Sequence, residues 1–178
     1  MPNPFTSSRL ANRTARVAGL DEDAKTRLHR VLRNMVMKSV VPVVVDEDNG
    51  RAPLTFDDRA AAVLLALHPL AELGVEISVL REIGAALQRR TSPAGAFVAP
   101  IDRALAAVRE GKKVELSIAL TRRGTDPVRI ETRVRVEGEE ANALSRQIVA
   151  DYDAVSLDVL LTATVALNPR FSPLMIED

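Results

Sequence analysis

The chain lacks several residue types on which common functional sites depend. Its 178 residues include no cysteine, no tryptophan and only two histidines, and 3% of them are aromatic. Without cysteine there is no disulfide, no thiolate nucleophile and no cysteine-based zinc site. Two separate histidines do not suggest a metal site, and so few aromatic rings do not form a platform for stacked bases. We therefore expect neither a metal nor a cofactor.

An excess of charge of one sign is also missing, as is a long apolar run. The 24 basic residues balance the 24 acidic ones, so attraction to an acidic partner must come from a local patch. The longest apolar run, residues 60–67, is far shorter than the roughly 20 residues that cross a bilayer. The N-terminus does not resemble a secretory signal. We expect a soluble, cytoplasmic protein with no membrane partner.

Apolar periodicity predicts four helices in the first half of the chain. Each would begin at a residue whose side chain can accept a hydrogen bond from a free N–H group of the first turn. The predicted helices are Ser7 or Ser8 to about Val17, Asp21 to about residue 38, Thr55 to about Leu73, and Ser78 to about Arg90. Pro69 lies inside the third helix and should kink or break it.

Between the second and third helices the pattern changes to that of a β-hairpin. Residues 40–45 are β-branched apart from Pro42, and Asn49-Gly50 is a strong hairpin signal because both residues tolerate positive φ. Pro42 and Pro53 restrict the strands to an edge or to short pairing. We therefore predict a hairpin over residues 40–54.

The second half of the chain combines helical and strand patterns. Residues 91–95 suggest a linker. The elements predicted after it are helix 101–110, strands 114–120 and 128–136, helix 139–151 and strand 155–165. This order predicts an α+β fold: a helical N-terminal domain over residues 7–91, then an α-β-β-α-β domain over 97–168 with a mainly antiparallel sheet. Residues 1–6 and 169–178 would be tails.

No catalytic motif stands out. The sequence has no glycine-rich phosphate loop after a strand and no Gly-x-Ser-x-Gly elbow. His29 and His68 could act as bases, but their spacing proposes no triad, so surface or packing roles are favoured. In the acidic run 46–50, Gly50 is fifth where a calcium loop needs glycine sixth, and a solvated hairpin tip is favoured. We predict that the protein is not an enzyme.

The second helix has a basic side. At 100° per residue, Ala24, Leu28, Val31, Leu32 and Met35 form an apolar stripe, and the opposite side carries Arg27, Arg30, Arg33 and Asn34, with Lys25 near the start. Three arginines at positions 9, 13 and 16 add a basic row to the first helix. Residues 1–45 contain eight basic and three acidic residues, a net charge of +5. A solvated helix face is one interpretation, and an acidic partner such as DNA is the other.

The order of helix, turn, helix, hairpin and two further helices resembles the winged helix-turn-helix of the MerR family of transcription regulators. Leu10-Ala11-Asn12-Arg13-Thr14 is similar to the start of the family's first helix. Asn49-Gly50 with Thr55 and Asp58 resembles its wing turn and the start of its third helix. Glu72-Leu73-Gly74-Val75 and Leu80-Arg81-Glu82-Ile83 resemble the pattern of its third and fourth helices. The resemblance covers about residues 7–90.

The resemblance implies a DNA-binding regulator whose helix 21–38 enters the major groove while a wing at 40–54 contacts the backbone. The residues that it assigns to double-stranded DNA are Arg13, Lys25, Arg27, Arg30, Arg33, Asn34 and Arg51. The C-terminal domain would then serve oligomerisation, most simply as a homodimer, or effector binding. The alternative is a non-enzymatic structural or assembly subunit, of a phage or another complex, that uses the same scaffold for protein contacts.

Overall fold

The computed structural model describes residues 4–44, 53–90, 98–122, 125–139, 158–167 and 171–175. Within these residues the chain forms helices and an antiparallel sheet, which confirms the prediction of an α+β protein. The elements are α1 (Ser7–Ala18), α2 (Glu22–Met37), α3 (Asp58–Glu72), α4 (Ile77–Gln88), α5 (Pro100–Arg109), β1 (Val114–Arg122), β2 (Arg129–Val136), β3 (Asp158–Ala166) and a 3-10 helix (Ser172–Met175).

Helices α1 and α2 agree closely with the sequence prediction. Asp21 caps α2 as expected, because its Oδ1 accepts a hydrogen bond from the N–H of Ala24 at 2.7 Å. The cap of α1 is Thr6 rather than either predicted serine, and its hydroxyl oxygen accepts from the N–H of Arg9 at 3.2 Å. The prediction was displaced by one residue because three adjacent residues, Thr6 to Ser8, have hydroxyl groups suited to capping.

The predicted caps of α3 and α4 are wrong. Thr55 is paired in an extended segment, and Asp57 caps α3 by accepting from the N–H of Ala60 at 2.8 Å. Ser78 lies inside the first turn of α4, which begins after Glu76 without a side-chain cap. In both places a residue with capping chemistry lies within two residues of the true cap, so such chemistry locates a helix start only to within a residue or two.

Pro69 does not break α3. The helix continues past it to Glu72, and the N–H of Leu73 donates to the carbonyl oxygen of Pro69 at 3.1 Å. Residues 60–68 and Leu70 are all buried, so α3 is surrounded by other elements on every side. We attribute its continuity to this burial, which offsets the hydrogen bond that a proline cannot donate.

The segment predicted as a hairpin begins as a buried turn. Val40 and Val41 are each 2% exposed, in a turn that follows α2, and Val40 donates its N–H to the Met35 carbonyl at 3.0 Å. Among the described residues of the two arms, only Val44 and Thr55 form an antiparallel bridge, with N–H···O distances of 2.7 and 3.2 Å. The prediction of strand structure from residue 40 is therefore wrong at its start, because these valines pack into the core. The tip, including Asn49 and Gly50, lies outside the described residues.

The three strands form one sheet in the order β2-β1-β3, and both pairings are antiparallel. The central strand β1 pairs Leu116 with Val134 and Leu120 with Ile130 of β2. Helix α5 packs against β1 and β2, and α4 also contacts β2. The predicted helix 139–151 lies outside the described residues apart from Glu139, which stands in the turn after β2.

The core extends through both halves of the chain. One continuous cluster of buried side chains joins Leu32 of α2, Leu64 of α3 and Leu105 of α5 to Ile118 of β1. The ion pair between Arg59 Nε of α3 and Asp102 Oδ1 of α5, at 2.9 Å, adds a polar link. The linker predicted at 91–95 falls outside the described residues, so the boundary between the two predicted domains stays a prediction.

Both predicted tails contribute to the core, which corrects the sequence analysis. Phe5 is 3% exposed, and its backbone pairs with that of Phe56 at 2.8 and 2.9 Å. Phe171 is fully buried, and the 3-10 helix after it contacts α1 and α3. Two prolines indicated an irregular segment, but the buried Phe171 ring anchors this part of the chain in the core.

Candidate nucleic-acid interface

Helices α1 and α2 are joined by a short, well-defined turn. Gly19 has φ +63° and ψ +33°, the left-handed conformation in which helices commonly end. Its N–H and that of Leu20 both donate to the carbonyl oxygen of Ala15. Asp21 then caps α2, so only three residues separate the two helices. This short connection holds α1 and α2 as a packed pair.

One side of α2 is buried in the core. Leu28, Leu32 and Met35, which belong to the predicted apolar stripe, are 3% exposed or less, and Val36 is buried beside them. Val31 and Ala24 lie at the edges of the stripe and are only partly buried. The helical wheel therefore predicted the orientation of α2 correctly.

The opposite side of α2 presents a cluster that we call the α2 basic face: Arg27, Arg30, Arg33 and Asn34. All four side chains are exposed. None of them forms a hydrogen bond or an ion pair with another residue that the structure describes. Arg27 and Arg33 are six residues apart, about 9 Å along the helix axis. The face therefore offers three cations within the length of two helical turns.

The remaining predicted contacts are placed differently. Lys25 is only partly exposed, and its ammonium group donates to Glu22 Oε1 at 2.7 Å within the first turn of α2. Arg13 is 9% exposed and lies in α1, with its guanidinium 5.4 Å from the ring centre of Phe5 and 3.5 Å from the Pro173 carbonyl oxygen. Arg51 lies outside the described residues. The structure therefore does not bring the six described residues of the predicted set onto one surface.

Arg13 belongs to a second basic surface on α1. We call it the α1 groove, a concavity of about 430 Å³ lined by Thr6, Ser8, Arg9, Asn12, Arg13 and Arg16. Burial lowers the pKa of Arg13, and the positive charges of Arg9 and Arg16 lower it further. The sequence indicated the row of three arginines, but not that the N-terminal segment and the 3-10 helix pack beside it.

The two histidines have packing or surface positions. His29 Nε2 lies 3.4 Å from the hydroxyl of Ser7, so it links α2 to α1. His68 is 8% exposed inside α3, and its Nε2 lies 3.6 Å from Glu72 Oε1 one turn later. Within the part of the chain that the structure describes, no group of three histidine or acidic side chains could hold a metal ion. No described helix is long and apolar enough to cross a bilayer.

Comparisons with known proteins do not assign a family. The chain matches no protein-family model, and a search of curated protein sequences gave no match. The function must therefore be argued from the residues and their arrangement.

Proposed function

We propose that the protein is a DNA-binding transcription regulator in which α1 to α4 form a divergent winged helix-turn-helix. In this proposal α2 enters the major groove and residues 40–54 form the wing. The observation on which the proposal depends is the exposed α2 basic face. The MerR-like sequence features suggest the winged helix-turn-helix in which such a face would contact DNA. The second half of the chain would hold two copies together as a dimer.

The charges and dimensions of the α2 basic face suit DNA. Arginine donates two parallel hydrogen bonds to guanine or to phosphate, and asparagine can do the same to adenine. The major groove is about 12 Å wide, which admits one helix. Since the three arginines have no partner among the described residues, binding would not first have to break an ion pair of theirs.

The acidic start of α2 limits how the helix can dock. Glu22 and Asp23 are exposed in its first turn, where they suit the positive end of the helix dipole but would repel phosphate. We therefore place the contacts in the middle of α2, from Arg27 to Asn34. Lys25 is excluded from this set because it is already paired with Glu22.

The proposal is tested by fluorescence anisotropy with a labelled random-sequence duplex at about 50 and 200 mM salt. If the protein contacts six to ten phosphates, raising the salt concentration from about 50 to about 200 mM should weaken binding by about 10³–10⁵-fold. The variant Arg27→Ala/Arg30→Ala/Arg33→Ala should lose binding at both. The control Arg90→Ala/Arg122→Ala/Arg133→Ala removes the same charge from exposed positions elsewhere and should bind as the wild type does.

The outcomes separate the proposal from the alternative. Equal loss in the two triple variants would mean that net charge, not the α2 basic face, is responsible, and the proposal would be wrong. A salt-insensitive homo-oligomer without affinity for DNA would support the structural or assembly subunit instead. Circular dichroism of each variant tests whether it is folded, so that a loss of binding can be assigned to the missing side chains.

A further inference from the structure

The α1 groove concentrates positive charge in a concave surface. Arg9, Arg13 and Arg16 follow one another at intervals of four and three residues, which places them on one side of α1. The same concavity is lined by the hydroxyls of Thr6 and Ser8 and by the amide of Asn12. Every one of these side chains can donate a hydrogen bond, and none is acidic.

This surface is separate from the α2 basic face. Ser7, which contacts His29 of α2, and Arg16 are nine residues apart, so they lie roughly 180° apart around α1. No α2 residue lines the groove. The row of arginines therefore lies on the side of α1 that is turned away from α2.

Arg13 is held in position by both ends of the described chain. Its guanidinium lies over the Phe5 ring, and it donates to the Pro173 carbonyl oxygen at 3.5 Å. The guanidinium of Arg9 lies 5.7 Å from the centre of the same ring. The charges of Arg9 and Arg16 act on Arg13 together with the opposite charge of Asp58, and the burial of the Arg13 side chain strengthens its attraction to an anion, because protein screens charge less than water does.

We propose that the α1 groove binds a phosphate group. Arginine suits this ligand because its planar guanidinium presents two N–H groups to two oxygens of one phosphate, and three arginines match the several oxygens of a dianion. The groove has room for a phosphate and for part of the molecule that carries it. The inference does not rest on the proposed DNA binding, since it uses a different surface.

The first test is thermal unfolding of the full chain in sodium phosphate and in sodium chloride of equal ionic strength and pH. At about five times the dissociation constant of phosphate, Tm should rise by about 2–4 °C. Arg16→Gln should lose this rise at the same phosphate concentration. Arg16 is the best position for this substitution, because its side chain is exposed and forms no hydrogen bond or ion pair with another described residue. Arg33→Gln, on the α2 basic face, is the matched control and should keep the rise.

A second measurement separates the two sources of a phosphate group. If Arg16→Gln loses the phosphate response and binds duplex DNA as the wild type does, the ligand is a free phosphate-bearing molecule. If its affinity for DNA falls as well, the groove takes a phosphate of the DNA backbone. Both results support the site.

The inference would be overturned by a phosphate response that is absent in the wild type or equal in Arg16→Gln. Arg9→Gln provides an independent variant if Arg16→Gln is not well folded. The two proposals can fail separately, because the phosphate response does not require DNA. Loss of DNA binding in the variant of the α2 basic face should leave that response unchanged.

Discussion

Gly84 lies where α4 closely approaches the turn that follows α2, and replacing it should destabilise the protein. It is buried in the middle of α4. A Cβ atom at this position would lie 2.7 Å from the carbonyl oxygen of Val40 and 3.5 Å from a methyl carbon of Val63. The oxygen belongs to the backbone of a turn whose valine is 2% exposed, so it cannot rotate away as a flexible side chain would.

Two effects of Gly84→Ala oppose each other, and their sizes decide the sign. Alanine is favoured over glycine inside a helix by about 0.8–1.0 kcal/mol. Forcing an extra methyl group into a packed interior costs about 1–3 kcal/mol. Because the nearest atom is an immobile backbone oxygen, we expect the steric cost to exceed the helix preference. The free energy of unfolding should fall by about 1 kcal/mol, and Tm by about 2–4 °C.

Urea denaturation at equilibrium, followed by circular dichroism, measures this change. The control is Ala85→Gly at the adjacent, exposed position of α4, which should lose about 1 kcal/mol from helix preference alone. If Gly84→Ala instead raises the free energy of unfolding by about 1 kcal/mol, α4 and the turn are not in close contact, and the reasoning is refuted.

Two further predictions concern the C-terminal segment and the end of β2. Phe171→Ala should lower the free energy of unfolding by about 3–5 kcal/mol, because the ring is fully buried. The control Leu73→Ala, at a position 79% exposed, should change it by less than about 0.5 kcal/mol. Similar values for the two variants would contradict the packing of the C-terminal segment. The Val136 N–H donates to Glu139 at 3.0 Å and, with the charge of Arg103, lowers the pKa of that carboxyl. Its stabilisation, about 0.2–1 kcal/mol for an exposed pair, should be complete above the unfolded pKa of about 4.3 and be lost as the pH falls through the lower folded value. Urea denaturation between pH 7 and pH 3 should show this loss of unfolding free energy in the wild type and not in Glu139→Gln. If the two proteins gave parallel plots of unfolding free energy against pH, Glu139 would not contribute this stabilisation.

The candidate DNA-binding surface was largely predictable. The exposure of Arg27, Arg30, Arg33 and Asn34 follows from the apolar stripe on the other side of α2, because a helix with one apolar side must turn its polar side to water. What these residues bind stays a prediction. The α1 groove was only half predictable: the row of arginines is visible in the sequence, but the segments that pack beside it are not.

The sequence by itself determined the local elements of this protein: all five α-helices that the structure describes, each within a few residues of its ends, the alternation of β1 and β2, and the cap at Asp21. These depend on neighbours within a few residues, so periodicity and capping chemistry carry the information. Only the tertiary structure decided that Phe5 and Phe171 belong to the core and that Val40 and Val41 form a buried turn instead of a strand. The physical reason is that such packing depends on contacts between distant parts of the chain. The hydrogen bond from Arg13 to Pro173, for example, joins residues 160 positions apart, and no local pattern in the sequence indicates it.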